Sequence, residues 1–116
     1  MDKIVHFEIP AEDVERAKKF YSSTFNWKMN SIPEMKYTII HTGPTDEKGM
    51  VGEKGFINGG MLKKSKDGCV QHPVITINVE NIDHALEKIK KHGCEIVQEP
   101  LKVGDMGMAA YFKDTE

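Results

Sequence analysis

The sequence runs through one pattern of elements and then begins the same pattern again. Residues 3–9, KIVHFEI, carry the β-branched and aromatic residues of a strand. Pro10 is expected to close it, because proline cannot donate to a ladder. AEDVERAKKFYSSTF then places Val14, Ala17, Tyr21 and Phe25 at three- and four-residue steps, with Glu15, Lys18 and Lys19 facing outward. That is the period of an amphipathic helix, and Glu12 and Asp13 near its start favour the dipole. WKMNSI, YTIIHT and GGMLKK read as three short strands, the first two parted by a turn around Pro33. The order is β-α-β-β-β. HPVITINV is again a strand, with Val74, Thr76 and Asn78 on one face. NIDHALEKIKKHG is again a helix, with Asn81 as N-cap, Ile82, Ala85, Leu86 and Ile89 as its apolar face, and Gly93 at the left-handed position beyond its end. CEIVQEP and MGMAAYFKD follow as strands. Superposed, Val14 and Ala17 match Ile82 and Ala85, Tyr21 matches Ile89, and His6 falls opposite Thr76.

A repeat of this kind restricts the chain to two copies of one unit that share a core. The 116 residues suit a single domain, with module one at about 1–66 and module two at about 72–116. The second copy stops one strand short. Residues 42–58, rich in glycine and charge, break the periodicity and read as a long mobile loop, a candidate lid.

Charge and cysteine usage exclude several classes. A net charge of -2 without a basic stripe gives no general attraction to nucleic acid. Cys69 and Cys94 lack the spacing of a zinc ribbon or a thioredoxin motif and read as reduced thiols. No apolar run reaches the ~18 residues of a membrane span, and no leader precedes Lys3, so the expected place is the cytoplasm. No phosphate-binding loop or dinucleotide fingerprint is present.

The stretch HFEIPAEDVERAKKFYSSTFNW resembles the opening of the vicinal oxygen chelate superfamily, which includes glyoxalase I, bleomycin-resistance proteins and extradiol dioxygenases. Asn26 stands where glycine is common. NGGML resembles the family's fourth strand, ITINVENIDHALEKIKKHGCEIVQEP the start of its second module, and MGMAAYFKDTE the lead-in to its closing strand. The resemblance spans essentially the whole chain. It implies an α+β fold of paired βαβββ modules forming an open, curved sheet around a cavity, with the second module lacking its last strand. An unfinished sheet exposes an edge, so a longer natural chain is expected. The resemblance also implies a homodimer.

In metal-dependent relatives the ligands come from the first and last strands of each module. His6 matches the first such position, but Thr76 holds its counterpart in module two, and the fourth strand offers Met61, Leu62, Lys63 and Lys64. His72 lies four residues upstream of Thr76, about 13 Å along a strand. No cofactor is therefore expected, and a divalent metal stays open only with ligands from outside the visible set. Glu8 shares the face of His6. Phe7 and Ile9 then pack under the helix, and His6 with Glu8 becomes an acid–base pair; the alternative is a surface salt bridge at Glu8. Thr76, Asn78, Met61 and Tyr111 are the expected substrate-binding residues. Met29, Met35, Met50, Met106 and Met108 could add an adaptable apolar lining. Trp27 reads as core.

Three functions follow. One is a glyoxalase-like lyase or isomerase that handles a small polar organic molecule without metal. The second is a bleomycin-resistance-type binder without chemistry. The third is a metal-dependent lyase or dioxygenase completed by a missing strand or a partner subunit. One fold hosts all three.

Overall fold

The computed structural model describes residues 1–48, 52, 54–104 and 107–116. Its elements follow the repeated order. Module one consists of β1 (Lys3–Ala11), α1 (Val14–Phe25), β2 (Lys28–Ile32), a 3-10 turn at Pro33–Met35, β3 (Tyr37–His41) and β4 (Gly59–Lys63). Module two consists of β5 (Val74–Asn78), α2 (Ile82–Lys91), β6 (Ile96–Lys102) and β7 (Met108–Phe112). The fold is α+β with two βαβ-type modules, and no closed barrel forms among the described residues. The expected 42–58 loop falls partly outside the described residues, as do Met50 and Met106. At its described ends the Thr42 amide donates to Asn58 Oδ1 at 3.1 Å and the Thr42 hydroxyl to the Ile57 carbonyl at 2.8 Å.

The chain divides into two compact units, residues 3–77 and 78–116. The division lies later than the sequence repeat because β5 pairs into the sheet of the first unit. That sheet has the order β2-β3-β4-β1-β5. β1 runs parallel to β4, with Phe7 beside Gly59 and Glu8 beside Gly60, while β3 is antiparallel to both β2 and β4.

Alternation along these strands separates two faces. On one, Ala11, Ile40 and Met61 form the buried core, and Phe7, Ile9, Met29 and Trp27 pack against it with Val14, Ala17 and Tyr21 of α1. Trp27 stacks on Tyr21 with ring centroids 5.1 Å apart, so it is core as expected. α1 starts at Asp13, whose carboxylate accepts from the Arg16 amide at 3.0 Å. Asp13 is thus a true N-cap and not only a charge near the dipole. α1 ends at Asn26, which adopts the left-handed conformation (φ 58°) that glycine would otherwise fill.

Pro10 does not end β1. It stays in register with Leu62, one residue before the strand stops. A proline fits there when its missing donor faces away from the neighbouring ladder.

The second unit carries α2, capped by Asn81, which accepts from the His84 amide at 3.1 Å. Gly93 is left-handed at φ 83°, as the sequence requires. β6 and β7 form a two-stranded antiparallel sheet. Its register slips between Gln98 and Leu101, around Pro100, which has no amide hydrogen to give.

Candidate functional site

On the face opposite α1, β1 presents His6 and Glu8. The sequence expectation holds here: Phe7 and Ile9 pack toward the helix and the two polar residues point the other way. What joins them is Tyr37. Its hydroxyl donates to Glu8 Oε2 at 2.8 Å and lies 2.8 Å from His6 Nε2. Tyr37 starts β3, one strand removed from β1, so its ring must cross β4. It crosses at Gly60, where a Cβ would run into the ring and hydroxyl of Tyr37. Gly59 does the same on the other face for the ring of Phe7. The two glycines therefore each admit one aromatic ring, one into the core and one into the site.

The proton inventory fixes the roles. An ionised carboxylate only accepts, and a phenol has one proton to give. With that proton on Glu8, the Tyr37 oxygen accepts from His6 Nε2. Neutral His6 is then the Nε2–H tautomer, and its basic lone pair sits on Nδ1. Half-burial pushes the His6 pKa below its ordinary 6.5, and the nearby Glu8 carboxylate pulls in the opposite direction without cancelling the effect. His6 is accordingly neutral, and hence a base, at neutral pH. Glu8 is only 7% exposed, so it is no surface salt-bridge residue.

Other expected site residues fare differently. Met61 is wholly buried in the core on the α1 face, so it cannot line a pocket. Strand parity decides this: Gly60 and Leu62 share the face of Glu8, and Met61 does not. Thr76 is half-buried on β5, the strand next to β1 in the sheet. Asn78 is exposed at the end of the same strand. Tyr111 is half-buried on β7 of the second unit, opposite Gln98. Met35 and Met108 are largely exposed.

Tyr37 went unrecognised in the sequence. The signal for it was the Gly59–Gly60 pair: two adjacent glycines in a strand mark close approach on both faces. Two surface grooves, of about 310 and 460 Å³, lie elsewhere. One is lined by Glu12, Lys64, Ser65, Lys66 and Gln71, and the other runs along α1 past Ile9, Arg16 and Phe20.

A divalent metal needs three or four converging donors. Among the described residues no three of His, Cys, Asp and Glu converge. His6 Nε2 is in addition engaged by Tyr37. The described donors alone do not fit a metal.

Residues 3–43 match the family described as bleomycin resistance protein-like N-terminal. A glyoxylase-like domain-containing protein of Didymella fabae is 32% identical over 120 residues, covering 98% of this chain and 87% of the relative. The mitochondrial methylmalonyl-CoA epimerase of Bos taurus is 26% identical over 119 residues, covering 97% of this chain and 66% of the epimerase. A hypothetical protein from Bacillus halodurans C-125 shares the fold with a TM-score of 0.60 at 19% identity, covering 97% of this chain and 84% of the other. A Streptomyces coelicolor methylmalonyl-CoA epimerase variant in complex with 2-nitronate-propionyl-CoA does so with a TM-score of 0.59 at 15% identity, covering 96% of this chain and 86% of the epimerase. A relative at this identity, matched nearly end to end, establishes kinship where the repeated modules alone establish only architecture: the chain is a glyoxalase-like member of the vicinal oxygen chelate superfamily.

Proposed function

We propose that this protein binds a small polar organic molecule over His6, Tyr37 and Glu8 and moves a proton to or from a carbon beside a carbonyl, as a metal-independent isomerase or lyase. One observation carries the reading: the Tyr37 hydroxyl bridges His6 and Glu8 at 2.8 Å on each side. His6 Nδ1 takes the substrate proton. The imidazolium then passes its Nε2 proton to the Tyr37 oxygen while the Tyr37 proton moves to Glu8. The chain ends with neutral His6, neutral Tyr37 and a protonated Glu8, and the substrate carries the negative charge as an enolate. Reversal returns the proton to the face it left, and inversion requires the enolate to turn over above His6 before the same proton returns. Burial that keeps His6 in its neutral form leaves it ready to accept a proton in such a step. Kinship with methylmalonyl-CoA epimerases supports a proton transfer at carbon as the reaction type.

The test is exchange. Methylmalonyl-CoA and other 2-substituted acyl thioesters are incubated with the protein in deuterated water, and loss of the C2 proton is followed by NMR. Catalysed exchange that His6→Ala and Glu8→Gln each abolish, with folding intact, is the expected result. Exchange that survives both variants would sink the assignment.

The second reading is a binder of the bleomycin-resistance type, which the match over residues 3–43 favours. It requires saturable binding with no exchange and no product. A homodimer is part of either reading, and light scattering on the purified protein decides it.

A further inference from the structure

Beyond the three residues of the triad, the same sheet face holds two buried side-chain nitrogens without a hydrogen-bond partner among the described residues, His41 Nδ1 and Asn58 Nδ2. Their place follows from register. His41 alternates with Ile39 and Tyr37 on β3, and Ile39 pairs with Gly60 on β4. Asn58 lies two residues before Gly60, hence on the same face, and the parallel register that sets Phe7 beside Gly59 brings it next to His6. The Asn58 amide cannot be turned to hide its donor, because Oδ1 already accepts from the Thr42 amide at 3.1 Å. Its NH2 group is therefore committed to face an acceptor that no described residue provides. Leaving a buried polar group unsatisfied is unfavourable, and two adjacent ones need a reason to persist.

We infer that Asn58 and His41 form a second subsite, which takes an oxygen acceptor of the ligand while the triad handles its reacting end. The ligand is then bifunctional: an acidic C–H or carbonyl over His6, and a carboxylate or similar oxygen about one strand spacing, roughly 5 Å, away. His41 serves such an oxygen with either tautomer, donating Nδ1–H to a carboxylate or accepting from a hydroxyl. Both residues are half-buried, so a turn of the His41 ring, and a rotation of the Asn58 amide about its hydrogen bond from Thr42, admits the guest. The inference rests on reading the triad as the reacting centre.

The experiment uses the full chain labelled with 15N. It is titrated with malonate, succinate, glutarate and adipate, with 4-hydroxybutyrate as the hydroxyl-ended arm and butyrate as the single-ended control. The imidazole nitrogens of His6 and His41 and the side-chain amide of Asn58 are the reporters. One chain length is expected to move both ends together, and butyrate is not. Asn58→Asp keeps an oxygen for the Thr42 amide but turns the free donor into an acceptor. It should weaken binding of the preferred dicarboxylate about tenfold or more, with the amide spectrum otherwise native. If His6 responds while His41 and Asn58 stay silent, or if Asn58→Asp binds unchanged, the subsite is overturned and the triad reading stands. Silence at His6 as well overturns both.

Discussion

Tyr37 shows how one side chain links two polar residues into a hydrogen-bonded chain. Without its hydroxyl, Glu8 loses a partner that it holds in a 7%-exposed position. Tyr37→Phe should therefore lower stability by about 1–3 kcal/mol in urea denaturation, and should slow proton exchange by more than it weakens binding. Gly60→Ala is the sharper probe. The added methyl group occupies the space of the Tyr37 hydroxyl and must swing the ring out of the triad. It should disconnect His6 from Glu8 as fully as Tyr37→Phe does, seen as matching changes in the His6 15N shifts. Protonation of His6 has a defined sign as well. Its folded pKa lies below 6.5, so above that value both folded and unfolded chains hold it neutral. As pH falls below 6.5, the unfolded chain takes a proton that the folded one resists, and folding loses stability. Denaturation at pH 7.5 and 5.5 should show a larger fall for the native protein than for His6→Gln. His6 and Glu8 were legible in the sequence because alternation along one strand puts them together. Tyr37 was not, because its contact depends on which strands become neighbours, and Met61 was misplaced because the register of β4 decides its face.

At the level of elements, the local signals were read well where they are chemical and less well where they depend on a partner. Asn81 and Gly93 bound α2 as their side chain and backbone demand. Asp13 caps α1 in the same way, and Asp13→Ala should cost about 1 kcal/mol. Pro10 misled, since a proline stops a ladder only where its donor is needed. Lys36 went unnoticed. It closes the 3-10 turn before β3 at φ 51°, where a β-carbon is crowded. A left-handed residue of this type is strained by about 1–2 kcal/mol, part of which glycine gives back through its more disordered unfolded state. Lys36→Gly should therefore raise stability by about 0.5–1 kcal/mol. A fall instead would mean that the long Lys36 side chain contributes packing beside Tyr37, and the denaturation midpoint decides between them.

The repeat that organises the sequence does not divide the molecule into equal parts. β5 opens the second module yet belongs to the sheet of the first unit, and this leaves residues 78–116 with one helix and a two-stranded sheet. Two strands alone are marginal in water, and a chain of under about 40 residues rarely buries enough apolar surface to fold by itself. The burial pattern agrees. Ile40 and Met61 in the first unit are wholly enclosed, whereas Leu86, at 7% exposure, is the one buried apolar residue among those described in the second. The second unit's own core is therefore small. Two consequences can be measured. Amide exchange in β6 and β7 should outpace that in β1, β3 and β4 by tenfold or more, roughly the ratio set by 1.4 kcal/mol of difference in opening free energy. A fragment of residues 78–116 should show no cooperative melt by circular dichroism, whereas residues 1–77 should retain one. Equal protection in both sheets would mean that the two modules open only together, as a single cooperative unit in which the repeat is a feature of sequence and not of stability.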